Sequence, residues 1–336
     1  MQQSFALSGH GAASLSGRIA RAAALAALLS APLAAHAAYP EKAVQLIISF
    51  PPAGATDVLA RVVGAELSKA LKQPVVVENR PGAGGAIGLN AAAKANPDGY
   101  TLYLAAITNQ AIAASVYTKQ PASLIEDFVP VANVGAVPHA LVVPANLPVQ
   151  DLQGLVAYLK ASPGKYNFAS QGTGTLSHLE SELFLLKTDA QAMHIPYKGS
   201  SQALPEVVTG TSSMMFDSIP GSMPLVQAGK LRYLAVASSR RVSMLPNVPT
   251  VTESGVPGFE ADNWFGVFAP KGTPQEAVDT VGAALQKVLA QPELIKQLAG
   301  QGAELRYSSA AELDKLNRQE HETWAAVVKS AKVQPQ

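Results

Sequence analysis

Two short stretches concentrate the residue types that hold an anion without a charged side chain. Phe50-Pro51-Pro52-Ala53-Gly54-Ala55-Thr56-Asp57 and Ser170-Gln171-Gly172-Thr173-Gly174-Thr175 each place glycines, small residues and hydroxyls directly ahead of a helix signal. A helix N-terminus presents N–H groups without intrahelical partners and a partial positive charge, so each stretch can hold a carboxylate with no Lys or Arg. One such loop at each end of an elongated anion would grip it from two sides. The same residues also suit ordinary capping, with Thr56 or Thr175 satisfying its own helix, and both roles stay open. Thr108 and Asn109 follow a predicted strand end, where open α/β sheets collect ligands. His178 comes early in the helix after the second stretch, where it either reaches a carboxylate or pairs with Glu182 one turn on. Asp217 closes a predicted strand and can repel an anionic group, accept a ligand ammonium or cap the next turn. Trp264 is expected as a packed aromatic at a crossover between units rather than as a ligand stack.

Residue patterns for other chemistries are incomplete. No Gly-x-Ser-x-Gly turn occurs, so the common α/β serine hydrolase lacks its nucleophile elbow. His321-Glu322 is followed by Ala325 where a His-Glu-x-x-His zinc site needs its second histidine. Beyond residue 37 the histidines are His139, His178, His194 and His321, widely spaced in a chain with no cysteine, so no metal site is expected. Ser162-Pro163-Gly164-Lys165 fits Ser-x-x-Lys, but its proline suits a β-turn. Gly82-x-Gly84-x-x-Ile87 lacks the third glycine of a dinucleotide loop and there is no P-loop lysine; a tight strand-to-helix turn is expected there. Neither an enzyme nor a cofactor is expected. The rival from another class is a periplasmic hydrolase on two domains, which requires a nucleophile paired with a histidine.

The elements that must position these residues alternate between strand and helix. Val44 to Phe50 is an apolar run suited to a strand covered on both faces, and Val58, Leu59, Val62, Val63, Leu67 and Leu71 recur at helical spacing after it. Strands at Val75–Glu78 and Thr101–Ala106 flank a helix at Ile87–Lys94, which makes a parallel sheet with right-handed crossovers. The pattern restarts with helix Leu152–Lys160, strand Tyr166–Ala169 and helix Leu176–Leu186, then strands at Met193–Ile195, Ser213–Phe216 and Leu231–Ala237. Between the two units runs Val129–Val143, strand-like but interrupted by Pro138, and a second extended stretch follows at Asn263–Ala269. Helices at Ala277–Leu289, Pro292–Ala299 and Ala310–Lys332 are expected to pack back on the first unit. Two crossings form a hinge, and a cleft between domains is where small ligands bind. The expected division is a segment 1–37, a first domain of 38–138 with 264–336, and a second of 139–263.

The length of 336 residues suits two domains, and a net charge of +1 supplies no basic field for nucleic acid. Arg18 and Arg21 precede the apolar run from Ala22, and Ala35-His36-Ala37 offers small residues at the positions a signal peptidase reads, so export with cleavage near Ala37 is expected. The run to Ala35 is shorter than the ~20 residues a bilayer requires and contains Pro32. Removing 1–37 takes away two arginines and no acid, turning +1 into −1.

Eight ordered blocks carry a resemblance: Phe50–Asp57, Val77–Gly85, Asn96–Leu102, Ala169–Thr175, Ile195–Gly199, Gly229–Arg232, Leu245–Thr250 and Pro257–Glu260. From Tyr39 to about Val333 the chain resembles the substrate-binding proteins of tripartite tricarboxylate transporters, the Bug or TctC-like family. The resemblance implies a two-lobed, Venus-flytrap periplasmic binding protein of type II-like form, two Rossmann-like α/β domains on a two-segment hinge. Such a protein closes on a small mono- or dicarboxylate, aliphatic or aromatic, and delivers it to membrane transporter subunits as a monomer; presenting the ligand to a sensor is the alternative. The residues expected to meet the ligand are Phe50, Pro52, Ala53, Gly54, Ala55, Thr56 and Asp57, with Thr108, Ser170, Gln171, Gly172, Thr173, Gly174, Thr175, His178 and Asp217. Two positions depart from the family pattern: Ala53 stands where glycine is usual, and Tyr117-Thr118-Lys119-Gln120-Pro121 lacks the usual Tyr-Asp-Pro-like turn.

Overall fold

Val44, Leu46 and Ile48 point to one face of a sheet and Ile47 to the other, so a nearly unbroken apolar run becomes a strand with a core on both sides. A computed structural model describes residues 1–4, 39–331 and 333. The expected export segment, Arg18 to Ala37, lies outside the described residues. Strand β1 (Val44–Ile48) is parallel to β2 (Val75–Asn79) on one side and to β3 (Thr101–Ala106) on the other. Helix α1 (Ala55–Leu71) covers one face with Leu59, Val63 and Leu67, and α2 (Ala86–Ala93) covers the other with Leu89. Helix α3 (Ile107–Val116) follows β3 without a loop.

Strand β4 (Phe128–Pro144) continues through Pro138 instead of breaking there. As far as Pro138 it pairs antiparallel with β9 (Asp262–Pro270); from His139 it pairs with β7 (Met215–Ser218), and from Ala140 with β8 (Leu231–Val236). Proline lacks the N–H a ladder needs, and it stands where one partner strand ends and the next begin. β9 also pairs with β3 and β10 (Glu304–Ser308) with β4, giving one mixed sheet in the order β10-β4-β9-β3-β1-β2 with β7 and β8 on β4. A separate parallel pair joins β5 (Asn167–Ser170) and β6 (Met193–Pro196).

The second half alternates by the same period of two. Leu141 and Val143 join a core with Phe168, Phe184 and Phe216, whereas Val142 faces Leu204 and Val207. Its helices are α4 (Leu152–Lys160), α5 (Leu176–Thr188), α6 (Ser200–Val208) and α7 (Ile219–Gln227). Ser162–Lys165 forms a turn closed by Lys165 N–H to Ser162 O.

Helices α8 (Gln275–Leu289) and α9 (Pro292–Ala299) pack into the first core through Val281, Leu285, Val288, Leu294 and Leu298. The last helix, α10 (Ala310–Ser330), does not stay with them: Leu313 packs beside Ile47 and Phe268, and Trp324 and Val328 join the core of the second half. Twenty-one residues make a rod of about 30 Å, long enough to serve two cores. Its start is fixed by a capping box in which Ser309 and Glu312 bond each other's backbone N–H, a feature that contributes about 1 kcal/mol. Among the described residues no helix is long and apolar enough to cross a membrane.

Candidate functional site

The first loop hangs between β1 and α1 and is held from behind. Asn79, at the end of β2, donates its amide to Phe50 O at 3.0 Å and to Asp57 Oδ1 at 2.9 Å. Asp57 Oδ2 accepts from Ala53 N–H at 3.1 Å and from Arg61 Nε at 3.0 Å. Burial pushes the Asp57 carboxyl up, but the bonds from Arg61, Asn79 and Ala53 outweigh it and hold it below its ordinary value. Both Asp57 oxygens are therefore engaged in tying the loop down, and the residue lines neither of the pockets described below. Gly54 is the N-cap of α1, Thr56 lies inside the first turn, and no side chain caps the helix. Ala53 has φ 66° and is exposed, so its extra methyl strains the turn.

The second loop is bonded to itself and to two histidines. Thr175 donates its hydroxyl back to Gly172 O at 2.7 Å instead of capping α5. Ser170 Oγ accepts from Gly172 N–H at 3.1 Å and lies 2.6 Å from His194 Nε2. Gly174 N–H donates to His178 Nδ1 at 3.3 Å, and His178 Nε2 is 3.6 Å from Glu182, the helix-face pair. Tyr117 donates to Thr173 O at 2.8 Å, and Leu176 N–H to Asn109 Oδ1 at 2.9 Å.

A narrow pocket lies where the two loops meet a third, the β6–α6 turn. The first loop contributes Phe50, Pro51, Gly54, Ala55 and Thr56; the second contributes Gln171; the third contributes Gly199, Ser200 and Ser201. Asn109, Ser218 and Asn263 complete the wall. None of these residues carries a charge. Helices α1, α6 and α7 all begin on this wall, so their free N–H groups and positive ends converge on it. A second pocket of about 240 Å³ adjoins the first and shares Phe50, Pro51, Gln171 and Gly199 with it. Its far wall holds the turn Gly82–Gly85, Tyr117, Gly172, Thr173 and Lys198. The glycine turn is tight, as its sequence suggests: a Cβ on Gly85 would stand 2.7 Å from Gln110 Nε2.

Of the expected ligand residues, the structure brings Phe50, Gly54, Ala55, Thr56 and Gln171 to the first pocket and Gly172 and Thr173 to the second. Pro52 and Ala53 are exposed beyond them. Ser170, Gly174, Thr175 and His178 form the frame of the second loop. Thr108 is turned away: its hydroxyl meets Asp262 O at 3.0 Å and Glu320 Oε2 at 2.7 Å, and its neighbour Asn109 takes the wall position. Asp217 is fully buried one layer behind the pocket, where its Oδ1 accepts from Ser200 and Gln171. Burial pushes its carboxyl up, against the charge of His139 and the bonds from Ser200 and Gln171. His139 itself is held above its ordinary value because Glu180, 2.7 Å away, outweighs the effect of burial. Trp264 sits on β9 with the Arg306 guanidinium 5.6 Å from its ring centroid. Pro51, Gly199, Ser200, Ser201, Ser218 and Asn263 were missed as wall residues. Pro51 stands inside the first stretch, and Gly199-Ser200-Ser201, a glycine and two hydroxyls ahead of a helix, carried a signal of the kind used for the other loops. Among the described residues no three His, Asp or Glu side chains gather to hold a metal ion.

The model of the tripartite tricarboxylate transporter family receptor matches residues 59–333. Protein BugT of Bordetella pertussis is 39% identical over 302 residues, covering 90% of this chain and 92% of that one. A Rhodopseudomonas palustris structure described as Rpa4515 with adipate is 34% identical with a TM-score of 0.86, covering 89% of this chain and all of that one. MatC of the same organism, with bound malate, is 31% identical with a TM-score of 0.81, covering 86% and 100%.

Proposed function

The chain belongs to the tripartite tricarboxylate transporter receptor family, a family of solute-binding receptors with the periplasmic binding protein fold, and from that membership we propose that it captures a small carboxylate outside the cytoplasmic membrane and hands it to a membrane transporter. The observation that carries the carboxylate assignment is the uncharged wall on which three helices begin. An anion there is met by backbone N–H groups and hydroxyls, whose dipoles stabilise charge without a cation. Two related proteins were solved with adipate and with malate, both dicarboxylates, which supports the same class for this chain. The two lobes, 38–138 with 264–336 and 139–263, close on the ligand as a hinge, and the expected signal at 1–37 places the protein in the periplasm.

A thermal-shift screen of aliphatic and aromatic mono- and dicarboxylates tests this, because a ligand bound only by the folded protein raises Tm. At least one carboxylate is expected to raise Tm by several degrees at millimolar concentration. If none does while another solute class does, the carboxylate assignment is wrong.

A further inference from the structure

Asp217 decides which way two polar side chains of the pocket face. Gln171 Nε2 lies 2.7 Å from Asp217 Oδ1 and 3.1 Å from Ser200 Oγ, and the Ser200 hydroxyl lies 2.7 Å from the same Oδ1. Oδ1 accepts both bonds, and any proton the buried carboxyl carries sits on Oδ2, which has no partner, so the Gln171 amide turns its nitrogen inward with both of its N–H groups engaged. The Ser200 proton is engaged in the same way. What these residues retain for the pocket is the Gln171 carbonyl oxygen and a lone pair on Ser200 Oγ, two acceptors and no donor. A separate observation marks the same wall as prepared for a polar group: Ser218, one of its residues, is fully buried and its Oγ has no hydrogen-bond partner. A bare alkyl chain or a carboxylate oxygen set against the two acceptors leaves them unpaired, and unpaired buried acceptors are costly.

Resting on the carboxylate assignment above, we propose that Asp217 makes this cleft select carboxylates bearing a hydroxyl or ammonium group that donates to Gln171 Oε1 and Ser200 Oγ, over the same acids without that group. The α1 start holds the carboxylate, and the Gln171–Ser200–Asp217 cluster reads the substituent. A site built to hydrogen-bond an OH or NH rejects the analogue lacking it far more strongly than an apolar pocket rejects a size change.

The test compares matched acids by calorimetry on the mature protein: propionate, lactate and alanine, then succinate, malate and aspartate. The hydroxy or amino member is expected to bind about tenfold or more tightly than its parent, and which of the two does so identifies the donor. Gln171→Met and Ser200→Ala, which leave Asp217 in place, are expected to shrink that ratio toward one, whatever either does to the affinity for the parent acid. Asp217→Leu frees the Gln171 amide to turn and is expected to remove the preference; should it fail to fold, the other comparisons decide. A parent acid that binds the natural protein as tightly as its substituted partners overturns the proposal and leaves carboxylate binding intact. Absence of binding by every carboxylate overturns the assignment on which it rests, and the proposal with it.

Discussion

Pro51 and Gly199 meet across the pocket so closely that a Cβ on Gly199 would stand 2.7 Å from Pro51 Cγ. Gly199 also has φ 99°, a conformation that L side chains rarely adopt. The first loop and the α6 start thus come together only because position 199 has no side chain. Gly199→Ala is expected to strain its own backbone by ~1–3 kcal/mol and to push Pro51 back. Ligand affinity should fall at least about tenfold, beyond any loss explained by a lower Tm. Titration of the variant against the natural protein, with both shown folded by circular dichroism, checks this; equal affinity would separate the contact from the site.

Thr108 is a structural residue in spite of its place at a strand's C-terminal end. Its hydroxyl bonds Asp262 O and Glu320 and accepts from Trp264 N–H at 3.2 Å, which ties α3 to β9 and α10. Thr108→Val keeps the shape and strands these partners, at a cost of roughly 1–3 kcal/mol. A lower midpoint in urea with an unchanged ligand Kd is the expected pair of results. A Kd raised tenfold in a stable variant would return Thr108 to the site.

Much of the cleft was legible because its chemistry is local: glycines, hydroxyls and small residues written consecutively before a helix, as in Phe50–Asp57 and Ser170–Thr175. What was not legible depends on distance in the chain. Asn109 and Asn263 reach the wall through a mutual bond of 3.0 Å between residues 154 apart. Nothing local tells Asn109 from Thr108, since both follow β3 and only the helical rotation of α3 separates them. Helix α3 itself was missed because it is buried nearly all round and shows no apolar stripe for a 3.6-residue period to detect. The hydroxyls of Thr56 and Thr175 were weighed as caps on position alone, whereas Thr175 bonds its own loop and Thr56 lies two residues past the N-cap, Gly54.

His178 and His194 stack with centroids 4.0 Å apart and planes 13° apart, and Phe168 lies 4.8 Å beyond His194. Burial, with His178 beside it, pushes His194 down to about 3. An unfolded chain binds a proton there below about pH 6.5, and the folded chain refuses it. The contribution of His194 to stability is therefore whole above pH 6.5 and is lost as pH falls from 6.5 toward 3. His194→Gln keeps a polar partner for Ser170 without a titrating ring. Its Tm relative to the natural protein is expected to climb steadily from pH 7 to pH 4.5 in melts at half-unit steps. A difference that stays flat across that range would show that the imidazole is not the group responsible.

Asn79 is the residue through which the first loop is held most directly, since one amide group serves both Phe50 O and Asp57 Oδ1. Both of its hydrogens are engaged, and its own Oδ1 accepts from Arg61 at 3.1 Å. Asn79→Asp preserves the shape but replaces the donor with a second carboxylate beside Asp57, already ionised through the bonds that lower its pKa. Arg61, itself half exposed, cannot neutralise two carboxylates. The variant is expected to lose about 2 kcal/mol or more at pH 7 and to release the Phe50–Gly54 turn, so that ligand affinity falls with stability. Lowering the pH toward 4.5 protonates one of the paired acids, and the deficit against the natural protein should then narrow. Asn79→Ala, which removes the donor without adding a charge, should show a deficit that does not change over the same pH range. Denaturant melts of the three proteins at pH 7 and pH 4.5 decide it: if the Asp deficit is as constant as the Ala deficit, repulsion from Asp57 is not its cause.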